Sequence, residues 1–168
     1  MKRTTNLNRY DGFSTVDFLI VAVIVLIVGS YAYNAILHAQ RTSALQGAAQ
    51  KFAGYIDRAR NDSIRRRAMD VRQMAEVTIL NPQFYSVRMD EDGDGALDVP
   101  VVVSLQEQQL TIDGPYPRTF MFDRTGNSVD SAGNSNQPTV VSFANRSAKS
   151  VVNISETGKT SWENDGKR

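Results

Sequence analysis

Four aspartates crowd into the stretch Met-Asp-Glu-Asp-Gly-Asp-Gly-Ala-Leu-Asp over residues 89–98. Alternating carboxylates around a glycine turn can converge on a hard cation, and Asp90, Asp92, Asp94 and Asp98, with Gly95, follow the opening of a calcium loop. The pattern breaks at its end. The position that should hold a bidentate glutamate is Val101, and strands rather than helices are expected on both sides. The competing reading is a solvated turn whose Asp and Gly residues serve loop geometry. Calcium is thus a possible ligand, and no cofactor is required by the sequence.

A carboxylate elsewhere raises a different question. Asp17 stands at the front of an apolar run, and residues 18–28 hold no polar side chain. A charge at mid-bilayer costs about 2.5–3.5 kcal/mol on insertion scales, so Asp17 calls for a partner or an interfacial position. Elsewhere the chemistry is sparse. There is no cysteine, His38 is the single histidine, and no Gly-x-Ser-x-Gly, metal-binding His pair or phosphate loop occurs. The sequence therefore predicts no enzyme. Arg58, Arg60, Arg65, Arg66, Arg67 and Arg72 form one basic cluster. It reads as a solvated helix face near a helix C-terminus, where cations suit the dipole, or as a contact for nucleic acid or anionic lipid. With a net charge of +1 the chain has no global pull toward nucleic acid.

These residues sit on recognisable elements. The first 12 residues carry Lys2, Arg3 and Arg9 against Asp11, so the N-terminus should stay on the cytoplasmic side and the bulk of the chain be exported. The apolar span 13–37 would measure about 37 Å as a helix, enough for a bilayer core of roughly 30 Å. Tyr31 and Tyr33 would lie near the far interface. Beyond it, Leu45, Ala49, Phe52, Ile56, Ala59 and Ile64 recur at helical spacing, with Lys51, Asp57, Arg58, Asn61, Arg65 and Arg66 largely off that face. One helix is predicted over 14–68, weakest at Gly29-Ser30 because glycine costs about 1 kcal/mol in a helix interior.

After residue 68 the period shortens. Strands are predicted at 71–80, 84–89, 99–105, 110–112, 119–123, 139–144 and 150–155, separated by Gly, Pro, Asn and Asp turns. The fold class is α+β: a long helix, membrane-spanning in its first half and amphipathic in its second, with an antiparallel β head packed on it. The organisation reads as a leader (1–12), a transmembrane segment (13–37), a helical extension (38–68) and a head (69–168).

Gly12-Phe13-Ser14-Thr15-Val16-Asp17, after a short basic leader and before an apolar helix, resembles the class III signal of type IV pilins and pseudopilins. That resemblance implies cleavage between Gly12 and Phe13 by a prepilin peptidase and N-methylation of Phe13. Asp17 then falls on the fifth residue of the processed chain, where the family has Glu. A new amine withdrawn from water needs an anion, and Asp17 can supply it within one subunit or to the next. The remainder is similar to the GspH/FimT group of minor pseudopilins and minor pilins. Ala59, Arg60, Ser63 and Ile64 match one element of that group, Phe122 and Gly126 a second, and Ile154, Ser155, Gly158 and Lys159 a third. Some members bind DNA through a Gly-Arg-x-Arg segment. Here it reads Gly158-Lys159-Thr160-Ser161, without the second basic residue, which argues against DNA.

The resemblance implies a minor structural subunit of a type II secretion pseudopilus, in a tip or priming role. The alternative is a minor type IV pilin, serving as a tip module for DNA or a surface. Its implied partners are other pilin or pseudopilin subunits, the peptidase and an inner-membrane assembly platform. Its location would be the bacterial cytoplasmic membrane, single-pass, with the head outside.

Overall fold

The computed structural model describes residues 15–165, except 131 and 147. Helix α1 spans Thr15–Arg66, two residues short of the predicted end. The stop has a backbone cause. Arg67 takes a left-handed conformation (φ 53°), its N–H donates to the Ile64 carbonyl at 3.1 Å, and the Ala68 N–H donates to the Ser63 carbonyl at 3.1 Å. These two bonds close a Schellman-type cap with a non-glycine residue at the turning position.

The chain divides into two compact units, Met1–Ala39 and Gln40–Arg168. In the first, α1 is helical from Thr15 onward and its large apolar side chains are exposed. An 18-residue window of the helix has mean hydropathy 2.3 and none of it is buried, so by length and composition the helix can cross a membrane. Gly29 and Ser30 are both helical. The Ser30 hydroxyl donates back to the Ile27 carbonyl at 2.8 Å, and Asn34 Nδ2 donates to the Ser30 carbonyl at 3.0 Å.

In the second unit the rest of α1 packs against two antiparallel sheets. The strands are β1 (Glu76–Asn81), β2 (Phe84–Arg88), β3 (Val101–Ser104), β4 (Thr111–Asp113), β5 (Arg118–Phe122), β6 (Ser128–Val129), β7 (Thr139–Ala144), β8 (Lys149–Ile154) and β9 (Thr160–Asp165). One sheet runs β3-β2-β1-β5-β6, the other β4-β7-β8-β9. An α+β layout is therefore present. All seven predicted strand regions contain a strand, although 71–73 is a short 3₁₀ turn before β1. The sequence reading had no strand for β6 or β9.

The core is the seam where helix and sheets meet. Leu45, Ala48, Ala49, Phe52, Ala53, Ile56 and Ala59 form the inward stripe of α1. The five-stranded sheet adds Val77, Ile79, Tyr85, Val87, Phe120 and Phe122; the four-stranded sheet adds Ile112, Val141, Phe143, Val152 and Ile154. Phe52 is the hub. Its ring meets Tyr85 edge-on at 5.2 Å and Phe120 at 6.3 Å in one sheet, and Phe143 at 5.3 Å in the other. Such edge-on pairs add about 0.5–1.5 kcal/mol each beyond the area they bury.

Candidate functional site

Asp17 lies in the first turn of α1, where the positive end of the helix dipole favours a carboxylate. It is exposed, as are its neighbours Val16, Phe18 and Leu19. Gly12 and Phe13, the expected processing pair, lie outside the described residues.

The acidic loop joins β2 to β3. Asp90, Asp92 and Asp98 each bring a carboxylate oxygen within 4.8 Å of the others. Asp94 is not part of this triad; its Oδ1 accepts from the Ala96 N–H at 2.7 Å. Asp90 is the anchor. Its Oδ1 accepts from the Gly93 N–H at 2.6 Å, and its Oδ2 accepts from the Gly95 N–H at 3.1 Å and from Arg65 Nη2 at 2.9 Å. Burial alone would push the Asp90 carboxyl up. Those N–H groups and the Arg65 guanidinium outweigh it and hold the group below the ordinary 3.8. Asp92 accepts from the Asp94 N–H at 3.1 Å, and Asp98 from the Glu91 N–H at 2.7 Å. The triad's spacing suits one hard cation, but Arg65 already supplies Asp90 with a positive charge.

The same arginine ties the loop to the helix. Arg65 Nη2 also donates to Asp62 Oδ1 at 2.8 Å and to the Asp90 carbonyl at 2.9 Å. Asp62 is buried, accepts from Arg66 Nε at 2.9 Å and takes the Asp90 N–H at 3.2 Å. A shallow cleft of about 550 Å³ opens here, lined by Arg58, Asp62, Arg65, Asp90 and Glu91 among others. Its charges are of both signs and in part already paired.

No family model, curated protein or solved structure matches the chain.

The motif residues of the later chain meet at one joint. Arg60 Nε donates to the Gly126 carbonyl and to the Thr157 carbonyl, both at 3.0 Å. It thereby fastens two turns to α1, one after β5 and one between β8 and β9. Both turns need glycine. At Gly126 (φ 83°) a Cβ would come within 2.8 Å of Arg60 Nε and of Ile64 Cδ1. At Gly158 (φ 68°) it would meet the Gly126 carbonyl oxygen at 2.5 Å and Phe122 at 2.9 Å. Ser63 makes a separate tie, its hydroxyl accepting from the buried Ala75 N–H at 2.9 Å. So Arg60, Ile64, Phe122, Gly126 and Gly158 form one packed corner.

The basic cluster accordingly divides. Arg60 and Arg66 are half-buried and Arg65 is exposed, and all three bond to other parts of the fold or to the buried Asp62; Arg58, Arg67 and Arg72 are exposed. Lys159 is exposed, and its N–H donates to the Ser155 hydroxyl at 3.0 Å. His38 is exposed on α1. Sequence reasoning missed Asp62. The available signal was its spacing, three and four residues before Arg65 and Arg66, which puts the three side chains on one helix face.

Proposed function

We propose that the chain is a membrane-anchored structural subunit of a pilin-type filament, a minor pseudopilin of type II secretion acting at the tip or in priming. The observation that carries this reading is α1. Its front end is apolar, unburied and opens on Asp17, and the helix from Leu45 onward forms the core of a β head. A helix built for solution would not leave Phe18, Leu19, Val25 and Leu26 all more than 60% exposed. Such a face is satisfied by lipid before assembly and by neighbouring helices afterwards. Cleavage after Gly12 would create a cationic terminus at Phe13, one helical turn from Asp17, and the pair would set the register between subunits.

On this reading the corner around Arg60 holds the head together, and the acidic loop is a turn fastened by Arg65. A minor type IV pilin serving a tip is the alternative, told apart by the filament with which the chain co-purifies.

Mass spectrometry of the native chain tests the proposal. The expected result is a mature terminus at methylated Phe13; a chain that keeps Met1–Gly12 would sink the filament reading. Asp17→Ala is expected to insert in the membrane yet stay out of filaments, and normal incorporation would refute the pairing.

A further inference from the structure

The four sheet edges of the head are not protected alike. β6 is two residues long and is bridged through Val129 to Ser135. β4 ends in Asp113, salt-linked to Lys149 at 3.4 Å. β9 carries the exposed Glu163. These are ordinary devices against edge-to-edge pairing. β3 has none of them. It reads Val-Val-Val-Ser, contains no charged residue and, among the described residues, pairs with β2 alone. Val101 is 51% and Val102 56% exposed, on opposite faces of the strand, and Val99 just before it is 84% exposed.

The edge also has a shaped flank. A recess of about 270 Å³ lies beside it, lined by the apolar Val87, Met89, Val99 and Val101 and by the carboxylates Glu91, Asp92 and Asp98. Apolar and anionic lining together specify an occupant. We propose that the β3 edge is a docking site for an extended segment of another protein. That segment adds a strand to the five-stranded sheet, places an aliphatic side chain in the recess, and presents a lysine or arginine to Asp92 and Asp98. The main-chain ladder supplies affinity, and the alternate side chains supply selectivity. Pro100, immediately before β3, cannot donate to a ladder and ends the docking register there. The inference rests on the head alone and stands whether or not the chain enters a filament.

Three labelled peptides test it against the full-length chain in detergent micelles, with empty micelles as blank and fluorescence anisotropy as readout. The first is Lys-Thr-Val-Thr-Val-Thr-Lys, basic at both ends so that strand direction does not matter. The second replaces both lysines by glutamate. The third replaces both valines by proline and cannot extend a ladder. Saturable binding is expected for the first, weakened at least about tenfold in each of the others. Asp92→Asn with Val99→Ser, two exposed changes checked for an unaltered denaturation midpoint, should weaken the first peptide by about tenfold or more. Absence of saturable binding overturns the proposal. So does equal binding of the glutamate or proline peptide, or indifference to the double variant. A dimer of the full-length chain that Val102→Lys dissociates would also overturn it, in favour of a second copy at this edge.

Discussion

Arg60 looks, in the sequence, like one cation among six. In the fold its Nε is shared between two carbonyls that belong to different sheets' turns. The two glycines opposite it are there because their backbones are left-handed and because nothing larger fits. At Gly158 the obstruction is partly main chain, the Gly126 carbonyl oxygen at 2.5 Å from any added Cβ, so the neighbour cannot rotate away. Gly158→Ala should therefore cost about 1–3 kcal/mol from backbone strain, with the clash in addition. A lowered chemical-denaturation midpoint checks this. A midpoint equal to that of the parent chain would show that the corner can open without loss. The motif residues were legible as a set, but their common purpose was not, because Phe122, Gly126 and Gly158 lie far from Arg60 along the chain and meet it only in space.

At the scale of elements, the helix was legible because its period is local. Every third or fourth side chain from Leu45 to Ala59 returns to the same stripe, and no proline interrupts it before Pro82. Its end was less legible. Residue 68 is two positions too far because Arg67, not a glycine, takes the left-handed cap. β9 escaped notice for a physical reason: Thr-Ser-Trp-Glu-Asn-Asp has neither apolar alternation nor β-branched enrichment. It is a strand because β8 offers it a full ladder, from Lys149 opposite Asp165 to Ile154 opposite Thr160. β6 is simply too short to carry a pattern. Phe52 is where the helix answers to both sheets, and it is wholly buried. Phe52→Ala should destabilise the head by about 3–5 kcal/mol, the range for a large core aromatic. The same denaturation measurement decides, and a loss below about 1 kcal/mol would mean that the core collapses into the gap.

At the scale of the whole molecule, three aspartates in turns, among the described residues, contribute to the response to acid. Asp90 is held down by the Gly93 and Gly95 N–H groups and Arg65 against the opposing effect of burial. Asp123 is likewise raised by burial and lowered more strongly by the Thr125 hydroxyl and the surrounding backbone N–H groups. Asp130 is lowered first by the Asn134 N–H. In each case the folded carboxyl is the stronger acid. The stability it contributes is present above the ordinary value of 3.8 and is lost as pH falls through the lower folded value. The denaturation midpoint should accordingly hold steady near neutrality and drop below about pH 4. Asp90→Asn should lower the midpoint at neutral pH and flatten the acid limb, while leaving the part owed to Asp123 and Asp130. An acid limb as steep as that of the parent would remove Asp90 from the account.

Sequence alone determined what depends on neighbours along the chain. The apolar run, its aspartate, the amphipathic stripe and the turn residues each declare themselves within a few positions, because helix period and turn chemistry are local. Tertiary structure alone decided what depends on distant groups. It gave Asp90 to Arg65, left Asp94 outside the triad, made a strand of 160–165, and brought Arg60 to Gly126 and Gly158. It also left β3 with an uncharged open edge. An edge is a property of sheet order, which no run of four residues can announce.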